Sequence, residues 1–268
     1  MESNDLLTLN AQGLIPGPNE TLEEFRKRVS ATKEFFQAQT DSLPTHHWQW
    51  PSEQLKALFD FSPRWCSATY SAQGLAPWQA AATWIDVKRI YLIRLRSSKW
   101  VSWMVQRDEI LAHEAAHAAR AAFDESKYEE VFAYMTSSSR WRRVLGPLFQ
   151  TPKEAALLVA LLGIGACAQM GEIFFEVSLF SELWLFSALF FCFAWSVRLM
   201  RARTRLEHAA KRLLPFLKDP AMVRPVLFRM TDAEIERLAK ADAFQPGSDL
   251  RWSVIQTIYW KDIDDAAR

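Results

Sequence analysis

The most reactive arrangement in the chain is His113-Glu114-Ala115-Ala116-His117, inside "DEILAHEAAHAARAAFDESKYEEVFAY", residues 108–134. On a helix, positions i and i+4 lie on one face, one turn apart, so His113 and His117 can reach a single ion. Zn2+ accepts neutral imidazole nitrogens in tetrahedral geometry. Glu114 flanks the pair instead of coordinating, and from there it can hold a metal-bound water and take its proton as general base. A catalytic site of this kind needs a third protein ligand and one position left open for water. The other reading is a polar helix face carrying two solvated histidines.

The third ligand has few sources. No histidine lies between His117 and His208, and His46, His47 and His208 are not expected to be ligands. The acidic candidates are Asp124, Glu125, Glu129 and Glu130. If the motif helix simply continued, Asp124 would lie ~10 Å further along the axis, too far to share an ion. "FDESK" has turn character and can reverse the chain, after which Glu129 or Glu130 on a returning helix comes within reach. Arg120 and Asp124 read either as partners that orient ligands or as a surface ion pair.

An HExxH motif followed by a helix-borne glutamate resembles the gluzincin branch of zinc metallopeptidases. The segment Glu130-Val131-Phe132-Ala133 is similar to the N-E-G-F-A segment that carries the third ligand in aminopeptidase-type members. The resemblance covers residues 84–134. It implies zinc held by His113, His117 and Glu130, with Glu129 in the preceding position. It also implies a strand before the motif helix that holds extended substrate, and a metalloendopeptidase or aminopeptidase activity on a peptide or protein substrate. Tyr134, one turn after Glu130, is read either as an oxyanion-stabilising catalytic hydroxyl or as a packed aromatic. The rival to an enzyme is a non-catalytic membrane-anchored scaffold or assembly protein whose motif is relic or coincidental. A di-iron carboxylate bundle is excluded, because no other histidine has a glutamate three residues before it.

The elements that must position these residues are mostly helical. Glycine is scarce, at 8 of 268 residues, while Ala, Leu, Glu, Arg and Lys are abundant, which suits helices. The expected fold is mainly α with a small β element (α+β). Residues 1–20 read as an irregular lead-in punctuated by Gly13, Pro16, Gly17 and Pro18. Thr21 and Glu24 form a capping-box pattern that opens a helix over "LEEFRKRVSATKEFFQ". "DSLPTHHWQWP" reads as a break, with Ser52 capping a short helix behind it, and residues 62–77 as irregular. "ATWIDVKRIYLIRLRSS" is the best strand signal, as one strand or a short hairpin. "WVSWMVQRDEILAHEAAHAARAAF" is helical in composition, "EEVFAYMTSSS" reads as the returning helix and "SSSRWRRVLGP" as its end. Residues 21–150 are therefore expected to form a cytoplasmic zincin-like domain.

The character changes at Thr151. Thr151, Pro152 and Glu154 supply an N-cap, a first-turn proline and a capping box. Ala155 to Met170 and Leu183 to Val197 carry no charge. Arg140, Arg142, Arg143 and Lys153 precede the first run, and Arg198, Arg201, Arg203, Arg205 and Lys211 follow the second. Between them stand Glu172, Glu176 and Glu182, with no Lys or Arg. That asymmetry predicts a transmembrane hairpin over about 152–171 and 178–198, within 151–200, in a lipid bilayer with both termini cytoplasmic. The remainder, 201–268, reads as a C-terminal helical cytoplasmic segment. It begins with "RLMRARTRLEHAAKRLLPFL", either a basic amphipathic helix near an anionic membrane surface or an ordinary basic surface helix. Thr231 and Glu234 form another capping box, and "SDLRWSVIQTIYW" reads as a last helix.

Bulk properties narrow the rest. The net charge of +1 gives no whole-molecule argument for a nucleic-acid partner. Three cysteines without CxxC or Cys/His spacing read as reduced and structural. The acidic N-terminus lacks the pattern of a secretory signal peptide. The 12 Trp and 18 Phe suit cores or membrane interfaces.

Overall fold

The computed structural model describes residues 3–37, 42–71, 73, 75, 80–85, 91–95, 106–176, 181–240 and 245–260. It is mainly helical, with one small sheet and two long apolar helices. The expected helical stretch from Trp100 to Val105, the end of "IERLAKADAF" and the start of the second apolar helix near residue 178 fall outside the described residues.

The chain opens with a helix, α1 (Ser3–Ala11), where an irregular lead-in was expected. Nine residues are too few to hold a helix by propensity alone. Tertiary packing supplies the difference. Leu9 joins Phe25, Val29, Trp65 and Ala118 in a small apolar cluster, and the buried Asn10 Oδ1 accepts from Arg229 Nε at 2.8 Å. Gly13 then turns the chain with φ 82°, the punctuation its position suggested. The Thr21–Glu24 capping box forms as expected. The Glu24 carboxylate accepts from Thr21 N at 2.9 Å, Glu24 N donates to Thr21 Oγ1 at 3.3 Å, and α2 covers Leu22–Gln37. Helix α3 (Gln49–Phe59) starts earlier than Ser52. It runs on from a 3-10 turn over Thr45–Trp48, with Pro51 in its first turn, and stops where Asp60 adopts φ 56°.

Of the two strand readings, the hairpin is the one present. Strands β1 (Ala68–Tyr70), β2 (Ala81–Ile85) and β3 (Tyr91–Leu95) form a sheet of order β1-β3-β2. β2 pairs antiparallel with β3, and β1 lies parallel to β3 on its other side, in a stretch expected to be irregular. Among the described residues, that order leaves β2 on an edge.

The motif helix, α4 (Arg107–Arg120), follows the sheet, and α5 (Glu129–Met135) returns beside it. The alanines of α4 at 112, 115, 116, 118 and 119 are all buried, and their small side chains let α3, α5 and β2 close on it. "SSSRWRRVLGP" does not merely end the returning helix. Ser139 caps a separate short helix, α6 (Arg140–Leu145). Buried Glu109 organises that corner, accepting from Ser137 Oγ at 3.0 Å, Ser138 N at 3.1 Å, the Ser138 hydroxyl, and Arg142 Nη1 at 2.5 Å.

The two long apolar helices are α7 (Pro152–Phe175) and α8 (Ser181–Leu213), each long and apolar enough to cross a membrane. Thr151 Oγ1 accepts from Glu154 N at 3.4 Å, the expected N-cap, but the Glu154 carboxylate accepts from Gln150 N at 2.8 Å and not from Thr151 N, so the box is not reciprocal. At the far end Glu172 accepts from Ser181 N and Oγ at 3.0 and 2.6 Å. Phe174, Phe175, Phe186, Phe190 and Phe193 are each exposed on the protein surface, a wide apolar belt for any molecule in water.

Helix α8 does not stop at the end of its apolar stretch. Leu199, Ala202, Leu206, Ala209 and Leu213 continue at three- and four-residue spacing and are buried in the main core. That apolar stripe of α8 packs on protein, so it is not the face that a helix lying on a membrane would turn to lipid. Its outer, basic face remains exposed. Helices α9 (Val223–Phe228), α10 (Asp232–Lys240) and α11 (Leu250–Tyr259) complete the chain. Glu234 fulfils its capping box with Thr231, at 2.7 and 3.1 Å, and also receives both Arg251 terminal nitrogens at 2.8 Å and Trp252 Nε1 at 2.6 Å. Described residues of 201–268, which read from sequence as a separate segment, share one core with described residues of 21–150. Phe59, Phe61 and Phe132 pack on Phe228 at centroid separations of 4.2–5.6 Å.

Candidate metal centre

The i, i+4 spacing of α4 turns His113 and His117 toward α5. Their Nε2 atoms stand 3.2 Å apart, with the rings inclined at 69°. Two nitrogens bound to one tetrahedral ion at ~2.05 Å would be separated by ~3.3 Å. The Glu130 carboxylate completes the group, with Oε2 3.8 Å from His113 Nε2 and Oε1 3.7 Å from His117 Nε2. Among the described residues, His113, His117 and Glu130 are the set whose ligand atoms lie within 4.8 Å of one another.

Glu129 takes a different position. Its Oε1 is 2.8 Å from Nδ1 of His117, behind the ring. Neighbouring helix residues point about 100° apart, so Glu129 and Glu130 straddle one imidazole. Glu129 therefore fixes the orientation of His117 and leaves Nε2 facing Glu130, the carboxylate–histidine arrangement found behind metal ligands. Glu114 is buried in the same cleft. Its Oε2 accepts from Thr83 Oγ1 of β2 at 2.7 Å, and the same hydroxyl lies 3.1 Å from the Glu114 carbonyl oxygen. Tyr134 packs edge-on against His113 with ring centroids 4.6 Å apart.

The electrostatics are those of a buried polar cluster. Burial, the charge of His117 and the more distant Arg142 hold His113 well below the ordinary imidazole range. Burial also works against a charged His117, but the Glu129 hydrogen bond and the carboxylates of Glu130, Glu129 and Glu114 outweigh it and push it up to about 9. Burial raises Glu130 to about 7, against the pull of His117. It raises Glu114 as well, with His117 and Thr83 opposing. Crowded acids and imidazoles of this kind lose much of their mutual strain when a dication takes the centre.

The turn between α4 and α5 decides whether Glu130 arrives. Asp124 adopts φ 52° and sits exposed at the reversal, away from the cluster. The rest of the turn is tied to α10: Lys127 N donates to Asp232 Oδ2 at 2.9 Å, Asp232 N to Glu125 Oε2 at 2.7 Å, and Tyr128 OH to Glu236 at 2.5 Å. Arg120 is neither a surface ion pair nor a partner of the ligands. It is fully buried, donates to the carbonyl oxygens of Phe228 and Met230, and stacks near Phe123, Phe132 and Phe228. The His46 and His47 rings contact each other at an inclination of 53°, and His208 lies on the outer face of α8, so none of the three joins the cluster. Thr83, Glu109 and the α10 contacts escaped the sequence reading, since a single Thr in a strand and an acid one turn before His113 carry no local signal.

The cluster lines a cleft of about 560 Å³. Ala80 to Thr83, along edge strand β2, form one wall, and Phe149 to Pro152, at the entrance to α7, form another. Arg142, tethered to Glu109, also faces it. Gly146 ends α6 against Tyr134, where an added Cβ would come within 2.2 Å of the ring. Gly146→Ala is therefore expected to displace Tyr134 from His113 and to destabilise the fold by ~1–3 kcal/mol, read as a lower thermal midpoint. An unchanged midpoint would show that the ring has room to yield. No family model, curated protein or solved structure matches this chain.

Proposed function

We propose that this chain is a membrane-anchored zinc metallopeptidase that hydrolyses peptide bonds at the cytoplasmic face of a bilayer. The observation that carries the reading is the convergence of His113 Nε2, His117 Nε2 and a Glu130 oxygen on one point, beside a buried Glu114. The donor set of two imidazoles and one carboxylate suits Zn2+, and the nitrogen separation matches a shared tetrahedral ion. Zinc bound there would lower the pKa of a water and polarise the substrate carbonyl.

The chain's own residues supply the remainder. Glu114, held in place by Thr83, accepts the proton of the attacking water and delivers it to the departing amine. Glu129 holds His117 in one orientation throughout. Tyr134 donates its hydroxyl toward the oxygen that gains charge. Strand β2, on an edge among the described residues, offers its outer side to an extended peptide, a strand-addition mode of binding. The edge is the first strand of the hairpin, not the one directly preceding the motif helix.

Helices α7 and α8 hold the cleft against the membrane. Cationic residues gather at the ends joined to the α4–α5 unit, and Glu172, Glu176 and Glu182 stand at the opposite end, which supports cytoplasmic termini. Arg198 ties the two helices at that base, donating to Glu154 Oε2 at 2.8 Å and to Leu148 O at 3.0 Å.

Metal content of the full chain purified in detergent tests the reading. About one zinc per chain, by elemental mass spectrometry, is the expected result. No metal after zinc is offered would overturn the peptidase and leave a membrane-anchored scaffold as the better account.

A further inference from the structure

On the outer side of α8, away from the metal cluster, a groove of about 540 Å³ runs between α8 and the end of α10. Its apolar floor includes Val197, Met200 and Ala239. Its rim carries Arg201, Arg205 and Lys240. Val197 closes the charge-free stretch of α8, and Met200 is 68% exposed, so the floor continues directly from the apolar belt of the hairpin.

The rim is cationic beyond its internal neutralisation. Among the described residues, Glu236 is the acid that pairs with this rim. It pairs with Arg205 at 2.6 Å, with Lys240 at 3.5 Å and with Lys127 at 2.7 Å. One carboxylate thus faces three cations, and Arg201 is exposed with no carboxylate partner among the described residues. Glu236 also holds the Arg205 guanidinium in place, which lowers the entropy lost when a ligand engages it. His208 lines the lower end, one turn further from the hairpin.

From this geometry we infer a binding site for one anionic phospholipid, its phosphate on Arg201, Arg205 and Lys240 and an acyl chain along Val197 and Met200. The inference rests on the hairpin lying in a bilayer. In that frame the groove sits at headgroup depth on the cytoplasmic side, where basic pockets beside spanning helices meet anionic lipid. An occupant of this chemistry satisfies both halves of the groove. A soluble anion would leave the floor uncovered, and a zwitterionic lipid would bring its own cation to a rim already in excess of positive charge.

Native mass spectrometry of the full chain in detergent tests it, with phosphatidylglycerol and phosphatidylcholine of matched acyl chains as probes. Retention of one phosphatidylglycerol in preference to phosphatidylcholine is expected. R201A and K240A should each weaken it by about fivefold, and the double variant by about 25-fold, from a typical ~1 kcal/mol per basic residue at an anionic surface. Lys153→Ala, at the base of α7 and outside the groove, should leave it unchanged. Equal loss in Lys153→Ala would mean general surface attraction and would overturn the site. Displacement of the lipid by millimolar inorganic phosphate would overturn the lipid in favour of a free anion. If the chain floats with liposomes and resists alkaline extraction, yet the double variant retains the lipid as wild type does, the groove fails while the membrane reading stands. If alkali extracts the chain, both fail.

Discussion

Glu114→Gln is expected to lower peptide hydrolysis by about 10²–10⁴-fold while zinc content stays near one per chain. The carboxamide is nearly isosteric with the carboxylate, and its oxygen can still accept from Thr83 Oγ1, now at 2.7 Å. Glu114 is absent from the group of converging ligand atoms, so the metal has no reason to leave. What the substitution removes is the proton acceptor beside the attacking water. The measurement is hydrolysis of an unstructured fluorogenic peptide library, paired with metal content of the same preparation. Activity within a fewfold of wild type would exclude Glu114 as the base. Loss of zinc would instead make it a ligand and contradict the cluster geometry.

The second large effect separates the two adjacent glutamates. His117→Ala and Glu130→Ala are each expected to empty the site, because each removes one of three protein ligands. Glu129→Gln should weaken zinc binding by only about 10–100-fold, since it touches the ion through the back of the His117 ring. Titration against a chelator of known affinity gives the ranking. If Glu129→Gln empties the site and Glu130→Ala does not, the roles are exchanged and α5 is rotated from the orientation described above. Folding of each variant is checked by its thermal midpoint, so a collapsed protein is not mistaken for a missing ligand.

Several features were legible in the chain because they are local. The capping boxes at Thr21–Glu24 and Thr231–Glu234 close within three residues and both form, while at Thr151 the N-cap half forms and the Glu154 carboxylate accepts from Gln150 N in place of Thr151 N. His113 and His117 meet because a helix brings i and i+4 together whatever surrounds it. The two apolar helices follow from length and composition. In each case the interaction range is shorter than the element that contains it.

Tertiary structure decided the rest. Helix α1 exists because Leu9 and Asn10 find partners in residues far along the chain. Which face of α5 meets His117 depends on a turn clamped to Asp232 and Glu236, more than 100 residues away. The same distance separates Arg120 from the carbonyl oxygens it satisfies. The basic half of α8 reads as amphipathic in sequence, but periodicity reports only that one face is apolar. Whether that face meets lipid or protein depends on what else packs there, and here Phe228 and its neighbours share the core with it. The sequence by itself determined the chemical groups and their helical spacing. Only the folded chain determined which glutamate faces the metal position and which stands behind the ring, because that choice is made by contacts between elements distant along the chain.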